Sequence, residues 1–170
     1  MPSSPDFHDF YQANYPGMVT LVGAVLGNLT EAEDVVQEAF ARAYSRWHRL
    51  GGYDLPEAWL RRVALRIAVD SGRRARRALL LRARLAAQRQ AHLPGADDGI
   101  GRSDVGGALR SLPLRQRQAL VLHYIADLPV EQIASECGIP SGTVKARLAA
   151  GRRRLERELC ARDEAVSDAR

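Results

Sequence analysis

Residues 128–155, Leu128-Pro-Val-Glu-Gln-Ile-Ala-Ser-Glu-Cys-Gly-Ile-Pro-Ser-Gly-Thr-Val-Lys-Ala-Arg-Leu-Ala-Ala-Gly-Arg-Arg-Arg-Leu155, read as two helices around a tight turn. Ile133, Ala134 and Cys137 recur at helical spacing, Gly138 can take a positive φ, and Pro140-Ser141 stops one helix and offers a cap for the next. Beyond the turn Val144, Leu148, Gly151 and Leu155 form an apolar stripe, which leaves Ser141, Gly142, Lys145, Ala146, Ala149, Arg152 and Arg153 on the outside. This is the pattern of a helix-turn-helix. Small residues and cations facing out together suit a major groove, with the first turn at base edges and the later cations near phosphates. The plainer alternative is a solvated helical hairpin with a basic back.

The composition around this stretch favours helices. Of 170 residues 46% are apolar but only 6% aromatic, and Ala, Leu and Arg abound. The length permits one ordinary domain or two small helical ones. The net charge of +5 conceals an asymmetry: residues 1–57 hold 3 basic and 8 acidic side chains, whereas residues 58–93 hold 10 and 1. A basic stripe suits a polyanion, because each neutralised phosphate releases counterions. The acidic first block suits a protein partner instead. Cys137 and Cys160 form no spaced framework, which fits a reduced cytosolic setting. His8, His48, His92 and His123 lack metal-ligand spacing and a paired carboxylate, so neither a metal, a cofactor nor a catalytic site is expected. No stretch approaches the roughly 20 apolar residues that span a bilayer, and no signal peptide is evident, so a soluble, unsecreted, cytoplasmic protein without membrane insertion is expected.

Toward the N-terminus, residues 6–26 read as one interrupted helix or two short ones, with Pro16 as a first-turn residue of a second segment and Gly27-Asn28 as the stop. Thr30-Glu31-Ala32-Glu33 reads as a capping box. In the helix that follows, Val35, Val36, Ala39, Phe40, Ala43, Tyr44 and Trp47 face a core, while Asp34, Gln37, Glu38 and Arg42 point away as a solvated face or an acidic docking surface. Asp54-Leu55-Pro56-Glu57 starts another helix, on which Trp59, Leu60, Val63, Ala64 and Ile67 share a side. Arg62, Arg66, Arg73 and Arg77 share a second face, thickened by Arg61, Arg74 and Arg76, and a run this dense points to nucleic acid. Residues 94–107, rich in Gly and Asp, read as a linker. A helix from 105, a break at Leu112-Pro113 and a further helix lead into the opening motif.

Four of these segments together resemble a bacterial RNA polymerase sigma factor of the extracytoplasmic-function (ECF) type in the sigma-70 family. Residues 32–40, Ala-Glu-Asp-Val-Val-Gln-Glu-Ala-Phe, are similar to its region 2.2. Residues 59–64, Trp-Leu-Arg-Arg-Val-Ala, are similar to regions 2.3 to 2.4, and residues 112–117, Leu-Pro-Leu-Arg-Gln-Arg, to region 4.1. Residues 142–148, Gly-Thr-Val-Lys-Ala-Arg-Leu, resemble the recognition helix of region 4.2. Each motif alone is common; four in the family's order are specific.

The resemblance implies an all-α fold of two small helical domains, a sigma region 2 bundle and a sigma region 4 helix-turn-helix, joined by a flexible linker. The expected bounds are 1–78, a linker over 79–107 that is partly helical and then Gly/Asp-rich, 108–160, and a polar, frayed tail over 161–170. It implies that Asp34, Gln37 and Glu38 contact a coiled coil of the largest subunit of core RNA polymerase, with the flap region as a second contact. It implies that Tyr53, Asp54, Trp59, Arg62, Arg66, Arg73 and Arg74 serve the melted minus-10 element, where splayed bases need stacking or a pocket and cations must follow the backbone. Trp59 also reads as a core residue. Ser141, Gly142, Thr143, Lys145, Arg147, Arg152 and Arg153 would serve the duplex minus-35 element, with Thr143 also placed for a local cap and the Arg147 stem for covering the core. The chain departs from many relatives at Arg66, where they carry Asn, and at Ala150, where they carry a base. Region 1 and a folded region 3 have no room, so the linker alone should join the domains, its cations at 82–89 suiting a path through polymerase.

The implied function is promoter-specific transcription initiation with core RNA polymerase and promoter DNA, duplex and melted, as partners, without enzymatic activity. An anti-sigma factor is a further partner in such families. The rival readings are a stand-alone helix-turn-helix regulator binding duplex DNA as a dimer, and a helical nucleic-acid enzyme. The latter would need clusters of carboxylates or histidines near the basic face, where the only acid of residues 58–93 is Asp70.

Overall fold

The computed structural model describes residues 6–86 and 104–168, and all regular structure among them is helical. Helix α1 runs unbroken over Phe7–Leu26 with Pro16 inside it, rather than as two segments. The missing N–H of Pro16 would ordinarily kink or stop a helix. Here Phe10 before it and Met18, Leu21, Val22 and Val25 after it bury into one core, and that packing outweighs the lost bond. Pro16 itself is exposed, and its carbonyl accepts the Thr20 hydroxyl at 3.0 Å. Gly27 closes α1 in the left-handed region at φ 80°, as expected of a C-terminal glycine.

Helix α2 spans Leu29–Tyr44, and its cap differs from the capping box read at Thr30. Asn28 holds the cap, its side-chain oxygen accepting the Glu31 N–H at 3.0 Å, and exposed Thr30 lies inside the first turn. Asn is at least as good a cap as Thr. The Glu31 carboxylate, at the position that could reach back to the cap, accepts the Ser71 hydroxyl at 2.5 Å instead and so ties α2 to the helix carrying Ser71. Short α3 (Trp47–Leu50) leads through a loop to α4 (Pro56–Ala86), which begins with proline where its missing N–H costs nothing. Tyr11 meets Phe40 at 4.8 Å and Phe10 meets Trp47 at 4.8 Å between ring centroids, so aromatic contacts staple α1, α2 and α3.

The second unit holds α5 (Asp104–Ser111), α6 (Leu114–Tyr124), α7 (Val130–Cys137) and α8 (Ser141–Asp168). The expected break at Leu112-Pro113 separates α5 from α6, and Gly138 takes φ 64° in the helix-turn-helix turn. Pro140 stands before α8, and its carbonyl accepts the Thr143 and Val144 N–H groups, so Ser141 is already helical rather than the cap. Two expected boundaries shift. The linker end at 107 falls inside α5, and α8 continues through Asp168, past the start of the expected frayed tail. The Gly/Asp-rich stretch up to residue 103, the end of the cationic run at 82–89 and His92 lie outside the described residues.

The two units pack on each other. One apolar cluster runs from α1, α2 and α4 into α6, α7 and α8. At the seam Leu114 Cδ2 lies 2.7 Å from where a Cβ on Gly72 would stand, so a larger residue at 72 would make the end of the Leu114 side chain shift. Gly27, at the end of α1, likewise faces the Arg110 and Arg117 side chains.

Candidate nucleic-acid and protein interface

Three groups of candidate side chains are set by helix rotation. On α2, Asp34, Gln37 and Glu38 are all exposed, opposite the buried Val35, Val36, Ala39 and Phe40. Glu38 accepts from Arg42 Nε at 2.8 Å, with both side chains 51% exposed, so the pair is solvated and contributes little to stability. This acidic face does not stand alone. Arg74 of α4 joins Glu31, Asp34, Glu38 and Ser71 around a shallow depression, which separates it from the other arginines it was grouped with.

Arg62, Arg66 and Arg73 are exposed and line a different place, a polar cleft of about 530 Å³ between α4 and the second unit. Its other wall is Arg115 and Gln118 of α6 with Ser135, Glu136, Cys137 and Gly138 of α7. Arg115 was not among the sequence candidates. Burial and then the like charges of Arg73 and Arg147 hold its guanidinium below the usual range, so cations from three helices crowd here. Asp70 is the remaining acid in the cleft, since Glu136 is engaged elsewhere. Tyr53 and Asp54 stand exposed in the loop before α4. Trp59 is half-buried against the core, in keeping with its reading as a packing residue.

Arg61 leaves the cationic face altogether. Its Nε donates to Glu136 Oε2 at 2.8 Å and its Nη2 to Glu136 Oε1 at 2.6 Å, a bidentate bond across the two units. The hydrogen bond to Glu136 raises the Arg61 pKa against the opposing effect of burial. A helix turns about 100° per residue, so adjacent Arg61 and Arg62 face different surroundings.

On α8, Val144, Leu148 and Gly151 are buried as the stripe required, and Ser141, Gly142, Lys145, Arg152 and Arg153 are exposed on the opposite side. Arg152 Nη1 donates to the Tyr124 hydroxyl at 3.2 Å, which orders one of these cations. Thr143 and Arg147 are half-buried on the flank of the helix, and Arg147 lies close enough to Arg115 and Cys137 to perturb both. Burial pushes the Cys137 thiol up, and Gln118 Nε2 reaches its sulfur at 3.6 Å. His123 Nδ1 meets the Leu128 carbonyl at 2.9 Å and braces the turn into the motif. Behind it, α5, α6 and α8 frame an apolar groove of about 360 Å³ lined by Val105, Leu109, Val121, Ile125 and Leu159 among others. Among the described residues no cluster of His, Cys, Asp or Glu could hold a metal ion, and no helix is long and apolar enough to cross a membrane.

Comparison with known proteins assigns the two units separately. The family model for Sigma-70 region 2 matches residues 10–78, and that for Sigma-70, region 4 matches residues 102–155. The ECF RNA polymerase sigma factor SigW of Bacillus subtilis is 32% identical over 150 residues, covering 79% of this chain and 79% of that protein. The RNA polymerase sigma-E factor of Streptomyces coelicolor is 28% identical over 164 residues, covering 93% and 88%. Among solved structures, the sigma factor RpoE in complex with the anti-sigma factor NepR, from Bartonella quintana, matches with a TM-score of 0.66 at 24% identity, over 91% of this chain and 96% of that one. CnrH in complex with the cytosolic domain of CnrY matches with a TM-score of 0.59 at 25% identity, over 91% and 88%.

Proposed function

The chain belongs to the ECF RNA polymerase sigma factors, which direct transcription initiation, and from that premise we propose a division of labour among its three exposed faces. Asp34, Gln37 and Glu38 dock on the largest-subunit coiled coil of core RNA polymerase. The apolar groove between α5, α6 and α8 is the surface available for the flap region. Arg62, Arg66, Arg73 and Arg74, with Tyr53, Asp54 and Trp59, take the minus-10 element as it melts, the cations following the backbone while a base unstacks. Ser141, Gly142, Thr143, Lys145 and Arg147 meet base edges and phosphates of the duplex minus-35 element, and Arg152 and Arg153 hold its backbone. Polymerase sets the spacing between the two elements, and the chain performs no covalent chemistry of its own.

The observation that carries this reading is the pairing, in one chain, of an acidic exposed helix with a cationic one, ahead of a helix-turn-helix. A stand-alone regulator needs only the last of these. The family resemblance supports a cytoplasmic location and an anti-sigma protein as a further partner, as in the RpoE–NepR and CnrH–CnrY complexes. In vitro transcription with purified core enzyme, with and without the chain, over genomic templates tests the reading. Promoter-dependent initiation that requires the chain is expected; its absence on every template, or binding to a palindrome without polymerase, would overturn it.

A further inference from the structure

We propose that the polar cleft between α4 and the second unit is a binding site for a small phosphate anion of three or more charges, a polyphosphate chain such as inorganic tripolyphosphate or that of a nucleoside triphosphate. Arg62, Arg66, Arg73 and Arg115 are its cationic ligands. Binding follows from the charge and shape of the cleft alone and does not depend on the sigma reading.

The cleft carries an unbalanced charge. Arg62, Arg66 and Arg73 line one wall on α4, and Arg115 lines the other on α6. Glu136 borders the same space, but its oxygens are taken by Arg61 Nε and Nη2 at 2.8 and 2.6 Å and by Gln132 Nε2 at 3.1 Å. Among the described residues that line the cleft, Asp70 is the acid left. Four guanidiniums thus face one carboxylate, an excess of three positive charges. The ion pairs among the described residues are Arg42–Glu38 and Arg61–Glu136, and neither uses any of the four.

Arg62, Arg66 and Arg73 are exposed and shed part of this excess into solvent, but Arg115 is half-buried. Burial, then the neighbouring charges of Arg73 and Arg147, disfavour its charged form. A guanidinium does not give up its proton in a protein, so negative charge brought into the cleft is what relieves the crowding. Phosphate suits it, because its oxygens accept the parallel N–H groups of a guanidinium two at a time. Gln118, 4% exposed on the same wall, adds an uncharged donor. Its Nε2 carries two hydrogens, and its partner is the weakly accepting Cys137 sulfur at 3.6 Å.

Shape selects a compact anion of some length. Arg62 and Arg73 stand about 16 Å apart along the helix axis, with Arg66 between them and Arg115 opposite. One sulfate or phosphate reaches one or two of these groups; a chain of three phosphates reaches more. The cleft holds about 530 Å³, within the roughly 300–1,000 Å³ typical of small-ligand sites. It is walled by α4 on one side and by α6 and α7 on the other, whereas a continuous strand needs a surface open along its length. Arg62, Arg66 and Arg73 are also the residues proposed to take the melted minus-10 element, so a bound polyphosphate would compete with that strand. This consequence, unlike binding, rests on the sigma reading.

Isothermal titration calorimetry on the full chain, without polymerase or DNA, compares tripolyphosphate, magnesium-free ATP and sulfate at one ionic strength. One tripolyphosphate should bind per chain, about tenfold tighter than sulfate or more. Arg66→Gln and Arg115→Gln should each weaken it about tenfold or more, the loss of a charge-assisted contact. Arg154→Gln removes an exposed cation of α8 outside the cleft and should leave affinity within about twofold. Asp70→Asn should tighten binding severalfold, and this gain carries the test should Arg115→Gln lose helix content by circular dichroism. ATP no tighter than tripolyphosphate makes the phosphate chain the whole ligand, and tighter ATP adds the nucleoside; either supports the site. Sulfate as tight as tripolyphosphate, equal losses from Arg154→Gln and Arg66→Gln, or unchanged binding by Asp70→Asn would each overturn it. So would oligothymidylate that displaces tripolyphosphate at a lower phosphate concentration, because the cleft would then be a strand site. Failure of promoter-dependent transcription leaves these titrations standing, and failure of the titrations leaves the transcription result standing.

Discussion

Leu120 Cδ1 stands 3.0 Å, and its Cγ 3.2 Å, from where a Cβ on Gly151 would sit, so α6 and α8 touch nearly backbone to side chain behind the helix-turn-helix. Leu120 is itself buried and cannot swing away cheaply. Alanine at 151 gains about 1 kcal/mol of helix propensity that offsets the tight contact. Valine forfeits most of that gain and adds two methyl groups to a filled space. We expect Gly151→Ala to lie near wild type in urea unfolding and Gly151→Val to lose about 1–3 kcal/mol.

The cap of α2 gives a paired test. Asn28→Ala removes the oxygen that accepts the Glu31 N–H and should cost about 1 kcal/mol. Thr30→Ala should shift the thermal midpoint hardly at all. The reverse order would put the cap at Thr30.

Reversal of charge on α2, Asp34→Lys with Glu38→Lys, should weaken core polymerase binding by about tenfold, mostly through slower association that depends on salt. The exposed Glu38–Arg42 pair is lost as well, at a cost within about 1 kcal/mol, so the thermal midpoint should hold. Unchanged capture of polymerase in a pull-down removes the docking role from this face.

For duplex DNA, measured with the polymerase complex on a promoter found by transcription, Arg153→Ala should weaken all sequences alike and reduce the salt slope by about 0.9. Lys145→Ala should instead flatten discrimination between promoter variants. Equal effects on every sequence from both variants would deny Lys145 a base contact.

Burial favours the neutral Cys137 thiol. Its pKa in the fold is therefore raised, and the stability linked to it is complete below the ordinary thiol value of about 8.5 and is lost as pH climbs through the raised one. Iodoacetamide should label exposed Cys160 first, with Cys137 following only at higher pH. Urea midpoints of the wild type should fall in alkali more than those of Cys137→Ala. Equal labelling of both thiols at neutral pH would contradict the half-buried placement of Cys137.

Much of the site was legible along the chain because its signals are local. The stripe of Val144, Leu148 and Gly151 fixes which side of α8 faces out, whatever the helix packs on. Asp34, Gln37 and Glu38 follow in the same way from the apolar side of α2. Local signals also misled where two of them compete. Asn28 and Thr30 are both good caps, and Pro16 is a helix breaker that a shared core on either side of it overrides.

By itself, then, the sequence determined the periodicity of the helices among the described residues except short α3, the acidic and cationic faces, and the order of parts that marks the family. Tertiary structure alone decided that Arg61 meets Glu136 while Arg62 lines a cleft, that Arg74 joins the acidic face, and that Arg115 and Arg117 lie against the first unit. Periodicity reports which side of a helix seeks burial, since that preference belongs to the residues themselves. Which partner waits there depends on how two helices 75 residues apart are docked, and no local spacing encodes that distance.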